Sequence, residues 1–152
     1  MGRAVSLEEL KTFLGKEIGL SDWLEITQER INAFAECTED RQWIHTNPEM
    51  AKSGPYGKTI AHAYMALALL SFFNYQNQVF PEGIKMALNY GLNRARFMNP
   101  VPVGSRIRNH CVLKDLTEKG AGRILMTFEN TVEIEGQPKP AAVAETLSMV
   151  MV

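Results

Sequence analysis

The chain has 152 residues, of which 45% are apolar and 22% charged. That length can bury roughly 68–70% of the unfolded surface, and the composition excludes a disordered segment or a disulfide-stapled miniprotein. Sixteen basic against seventeen acidic side chains give a net charge of −1, without the basic excess of a nucleic-acid binder, and the longest strongly apolar stretch, residues 60–73, is too short to span a bilayer.

The N-terminus brings acids early, at Glu8 and Glu9, and has no signal-peptide core, so a cytoplasmic protein is expected. Ser6 and Glu9 form a capping box that predicts a helix over about residues 6–14, with Leu7, Leu10, Phe13 and Leu14 on one face and Gly15 as the stop. Residues 23–26 read as a short strand. Thr27 caps a second helix whose face carries Ile31, Phe34 and Ala35, and which runs out near residues 38–40. Residues 41–57 look irregular, with one short helical turn opened by Asn47-Pro48. From Ile60 to about Tyr75 the chain is apolar almost all round, which predicts one long helix covered on most sides.

The second half reads as strands. Residues 86–97 form one, broken by the proline-rich residues 99–104. Residues 105–116 put Ile107, Asn109, Cys111 and Leu113 on one face, and residues 123–134 alternate apolar and polar. Turns are expected at residues 117–122 and 135–140, and residues 141–152 make a last strand. The expectation is an antiparallel meander in a single α+β domain spanning residues 1–152, a curved sheet around one long central helix. Cys37 and Cys111 lack any CxxC spacing and read as two buried, reduced thiols.

Chemistry concentrates in few places. Asp40 and His45 lie five residues apart in an irregular segment, where catalytic groups are often carried. A carboxylate beside a histidine can orient the ring, and the two can hold a water and move its protons. His62 precedes the apolar helix and reads first as a histidine that caps or packs. The N–H groups at that helix start have no intrahelical acceptor and can receive a carbonyl oxygen, and Gly54, Pro55 and Gly57 would let a backbone come close. His110 reads as a solvated surface residue. Asp40, His45 and His62 match no standard zinc spacing, so no metal site is expected. No GxSxG, Walker A or GxGxxG motif occurs. Arg94, Arg96, Arg106 and Arg108 read as a solvated or salt-bridged face before a phosphate site.

Three segments then resemble a known family. Glu39-Asp40-Arg41-Gln42-Trp43-Ile44-His45-Thr46-Asn47-Pro48 resembles the hydratase signature of the MaoC-like, (R)-specific enoyl-CoA hydratases, an aspartate followed after four residues by a histidine. Gly57-Lys58-Thr59-Ile60-Ala61-His62-Ala63-Tyr64-Met65 is similar to the family's P-I-x-H-G-M segment, and residues 93–105 to its F-x-x-P-V-x-x-G-D strand and turn. The order is the family's own, and the Gln-Trp-Ile-His variant with the N-terminal helix resembles its single-domain, nodulation-protein-N-like subgroup.

The resemblance implies a hotdog fold and a homodimer with active sites at the subunit interface. It implies reversible hydration of a trans-2-enoyl-CoA, or acyl-carrier-protein thioester, to the (R)-3-hydroxyacyl form, with no cofactor and no metal. Asp40 and His45 match the catalytic pair, Ala63 the residue whose N–H polarises the thioester carbonyl, and Ser71 a supporting serine. His62 and Gly57 fall in the substrate-binding segment. Ala63 and Glu39 stand where the family usually has glycine, and Glu39 sets a second carboxylate beside Asp40. Two other readings stay open on the same residues: a non-catalytic acyl-thioester-binding hotdog protein and a hotdog thioesterase.

Overall fold

In a computed structural model, which describes residues 2–152, the Ser6 hydroxyl accepts the Glu9 N–H at 3.1 Å and opens α1, Leu7–Lys11. The helix is shorter than expected, because residues 12–15 already turn toward Gly15 at φ 76°. The Glu9 carboxylate pairs with Arg3 at 3.0 Å. Two short strands that the sequence pattern does not announce flank this helix. β1, Arg3–Val5, pairs in parallel with β4, Val79–Pro81, and β2, Glu17–Leu20, joins the main sheet. A strand of three or four residues is too short to display a period of two. β3 is only Leu24–Glu25. Thr27 caps α2, Gln28–Thr38, which buries Ile31 and Ala35 and half-buries Phe34. Cys37 on α2 is exposed, so only Cys111 is a buried thiol.

The apolar segment begins its helix at Ala63, three residues later than expected. Ile60 is bridged to Pro102, and the Ala61 N–H donates to the Val101 carbonyl at 2.8 Å, which holds the lead-in extended. The helix itself comes in two segments, α5 at Ala63–Ala68 and α6 at Leu70–Asn77. They are joined through Leu69, whose N–H still bonds Met65 and whose carbonyl accepts from Phe73, each at 3.0 Å. Met65, Ala66, Leu70 and Phe73 face inward, whereas Tyr64, Phe72 and Tyr75 are exposed on the single chain.

The long strands are β5 (Met86–Phe97), β6 (Arg106–Gly120), β7 (Arg123–Ile134) and β8 (Ala142–Met151). The sheet order is β2-β6-β7-β8-β5, antiparallel throughout, with β3 also on β6. The meander therefore covers only β6, β7 and β8. β5 sits on the far side of β8, because the segment between β5 and β6 is tied to residues 59–61 and carries the chain across. β6 runs further than expected, to Gly120, leaving a two-residue turn at Ala121 (φ 53°) and Gly122 (φ 69°). Positive φ at both central residues suits the twist of a hairpin. A Cβ on Gly122 would also come within 2.7 Å of the Val152 carbonyl.

Two apolar cores lie on one face of this sheet. Ile31, Met65, Phe73, Ile107, Val132 and Ala144 belong to the first. Leu10, Ile18, Leu113, Met126, Phe128 and Val150 belong to the second. Between them runs a buried polar row. The Asn109 amide donates to Asn130 Oδ1 at 2.8 Å and to Asn74 Oδ1 at 3.0 Å, and Asn130 donates to the Thr146 hydroxyl at 3.0 Å. A helix laid against an antiparallel sheet in this way is the hotdog arrangement. Among the described residues no helix is long and apolar enough to cross a membrane.

Candidate active site

Asp40 follows the end of α2. The helix stops because Glu39 takes a left-handed conformation at φ 62°, which L side chains other than Asn and Asp rarely adopt. Arg41 folds back and pairs with Glu36 at 2.9 Å and with Glu39. The second carboxylate beside Asp40 is thus matched by a cation. Asp40 itself is exposed, and its Oδ1 lies 3.4 Å from the Gln42 N–H. The segment expected to be irregular holds two short helices, α3 at Trp43–Thr46 and α4 at Pro48–Lys52, the latter capped by Asn47 as Asn-Pro predicts.

α3 carries His45 into the interior, where it is 6% exposed. Its Nδ1 lies 2.7 Å from the Ile60 carbonyl. A carbonyl only accepts, so Nδ1 bears the proton and the neutral ring keeps its lone pair on Nε2. The His45 carbonyl is held in turn by Gln28 Nε2 at 2.7 Å, and Gln28 Oε1 accepts the Thr59 hydroxyl at 2.5 Å. Burial pushes the His45 imidazole below its ordinary value; the neighbouring His62 acts the same way, while the Ile60 bond and the Asp40 carboxylate oppose it.

His62 is 3% exposed and stacks on His45, with ring centroids 3.8 Å apart and planes 25° apart. An Asp40 carboxylate oxygen and one ring nitrogen each of His45 and His62 lie within 4.8 Å of one another. The trio is compact enough for an ion, and with its Nε2 committed to the Asp40 carbonyl at 2.8 Å, His62 has only its buried, unpartnered Nδ1 to offer as a donor.

A cleft of about 410 Å³ opens over this group, lined by Asp40, His45, His62, Ala63, Tyr64 and Phe97 among others. Its rim is the Tyr64 ring set edge-on to Phe97 at 5.3 Å. Ala63 is exposed at the first turn of α5, with its N–H in the region where no intrahelical acceptor exists. Four sequence candidates, Asp40, His45, His62 and Ala63, therefore converge on one cleft. Ser71 and Gly57 do not line it. Ser71 is half-buried and accepts from the Asn89 amide at 3.1 Å. Gly57 lies in an exposed turn at φ 68°, where a Cβ would meet no other group within 4 Å.

Residues 9–135 match the model of the MaoC like domain. The chain belongs to the MaoC-like dehydratase family. This MaoC-like chain is 49% identical over 142 residues to 3-hydroxyacyl-thioester dehydratase Z of Mycobacterium tuberculosis, covering 93% of both. It is 41% identical over 147 residues to Nodulation protein N of Rhizobium leguminosarum bv. viciae, covering 96% of this chain and 91% of that one. Its fold superposes on an unliganded (R)-hydratase of Pseudomonas aeruginosa with a TM-score of 0.72 at 20% identity, over 91% of this chain and 81% of the other.

Sequence reasoning missed part of what surrounds the MaoC-like cleft. Gln28 holds the His45 main chain from 17 residues away, and Thr59 holds Gln28 across 31 residues, and no local motif marks such bonds. Away from the cleft, His110 is not simply solvated. It is half-buried between Glu17 at 2.8 Å and Glu133 at 2.9 Å, and these carboxylates outweigh burial and raise its imidazole above the ordinary value. Arg94, Arg106 and Arg108 pair with Glu129, Glu135 and Glu133, as a salt-bridged face predicts, while Arg96 donates to the Ala95 carbonyl at 2.9 Å. Burial pushes the Cys111 thiol up to about 12, which makes it a poor nucleophile.

Proposed function

We propose that the protein is an (R)-specific enoyl-CoA hydratase, equally a 3-hydroxyacyl-thioester dehydratase in reverse, acting through Asp40 and His45. The observation that carries this reading is the neutral His45, its Nδ1 committed to Ile60 and its Nε2 left as the basic nitrogen, beside a carboxylate in one cleft. Such a pair can hold a water between an acceptor and a base. As the water oxygen bonds C3, the pair takes a proton. The C2=C3 electrons shift toward the thioester oxygen, where the Ala63 N–H stabilises the charge. The pair then returns a proton to C2. Water is consumed and every proton is accounted for, with only acid–base groups and one backbone donor. The relative at 49% identity, named a 3-hydroxyacyl-thioester dehydratase, supports the same class. Tyr64 is 68% exposed at the rim, so its side chain does not close the cleft over Ala63.

The working unit in this reading is a homodimer. β5 is an edge strand on the single chain, and Met86, Leu88, Tyr90 and Leu92 along it are all exposed, as are Phe72 and Tyr75 on α6. An exposed apolar edge of this length is a template for another chain.

Hydration of crotonyl-CoA, followed by loss of enoyl absorbance, tests the proposal. The wild type should turn over, and Asp40→Asn or His45→Gln should lower kcat by roughly 10²–10⁴-fold with the fold retained. Near-normal rates in both variants would remove the pair.

A further inference from the structure

We propose that His62 is a positioning residue that sets the mutual placement of Asp40, His45 and the Ala63 N–H; this rests on the reading of Asp40 and His45 as the acid–base pair. His62 is the residue at the start of α5, yet its side chain makes no cap bond to that helix. Its ring turns the other way. Nε2 donates to the Asp40 carbonyl at 2.8 Å, a bond between residues 22 apart in the chain. The acceptor is a carbonyl, so the proton sits on Nε2 and the ring is locked in one tautomer. One face of the ring lies on His45 at 3.8 Å, and the Phe34 ring packs at 5.0 Å, tilted by 51°. Through its own main chain His62 also leads directly into Ala63.

These contacts matter because Asp40 has little else to fix it. It follows a left-handed Glu39, its side chain is half exposed, and its own short-range bond to the Gln42 N–H is long at 3.4 Å. His62 is therefore where three separate pieces of chain meet: the residue after α2, the ring carried by α3, and the first N–H of α5. A displacement of about 1 Å among reacting groups can lower a rate roughly 10²-fold.

Two variants separate the roles of the ring. His62→Phe keeps an aromatic ring against His45 but removes the donor to Asp40. His62→Gln keeps an N–H donor at comparable reach but removes the ring. With crotonyl-CoA as the probe, kcat of His62→Phe should fall roughly 10²-fold with KM little changed, and His62→Gln should recover a large part of that loss. A folded His62→Phe with wild-type kcat, or a His62→Gln as impaired as His62→Phe, overturns the positioning role while leaving the hydratase reading intact. Absence of turnover in the wild type overturns the hydratase reading itself. Should His62→Phe fail to fold, the ¹⁵N spectrum of the wild-type histidines decides. A proton on His62 Nε2 and none on Nδ1 supports the tie to Asp40, and the opposite tautomer overturns it.

Discussion

Burial holds the His45 imidazole below its ordinary 6.5, so the ring is neutral and basic across the neutral range. The acid limb of kcat/KM should therefore have its midpoint below about pH 6.5, and a ring-proton titration of His45 by NMR should give the same midpoint without turnover. Stability carries the same signature. Between the folded and unfolded values the unfolded chain binds more protons at this site, so stability rises with pH there and is lost as pH falls through the folded value. His110 works in the opposite sense, since its raised value stabilises below the ordinary value and that contribution fades as pH rises through the folded one. Glu39 makes a second residue-scale prediction. At φ 62° a β-branched side chain suffers most, so Glu39→Val should cost about 1–2 kcal/mol in denaturant unfolding, whereas Glu39→Gly should cost less. At this scale the sequence is informative where partners are close in the chain. Asp40 and His45 stand out at five residues. Gln28, bonded to His45 across 17 residues, and Thr59, bonded to Gln28 across 31, do not.

Among the elements, those with many repeats of one period are legible. β5 spans Met86–Phe97, as expected, and β7 spans Arg123–Ile134. Helix starts with a capping side chain, at Ser6 and Thr27, are equally plain. β1, β2 and α3 are not, because three or four residues cannot show a period. The start of α5 also departs from the pattern. Ile60 and Ala61 are apolar enough for helix, but tertiary bonds to Val101 and Pro102 claim their backbone first. The β5 edge carries its own prediction. If it pairs with a second copy, Leu88→Lys should shift the particle seen by analytical ultracentrifugation from dimer toward monomer, because the change sets a charge in an apolar contact. A wild-type protein that sediments as a monomer would remove β5 as an interface.

For the whole molecule, the fold class is legible from the order of elements, helices first and strands after, but the strand order is not. Nothing in the alternation of β5 says that it lies beside β8 and not β6. That information resides in the crossing segment and its bonds to residues 59–61. Once the order is set, one ambiguity remains for any alternating sheet. A slip of one residue turns every apolar side chain outward and is rejected at once. A slip of two keeps the in-and-out pattern, and apolar contacts alone reject it only weakly. The row of Asn109, Asn130 and Thr146 removes that freedom. Slipping β7 by two in either direction would break one of its two links, to Asn109 or to Thr146, and leave a buried amide without that partner, at about 1–3 kcal/mol for each unsatisfied group. The polar row acts as an index mark across three strands, and the alignment of the two cores on either side of it is read from that mark.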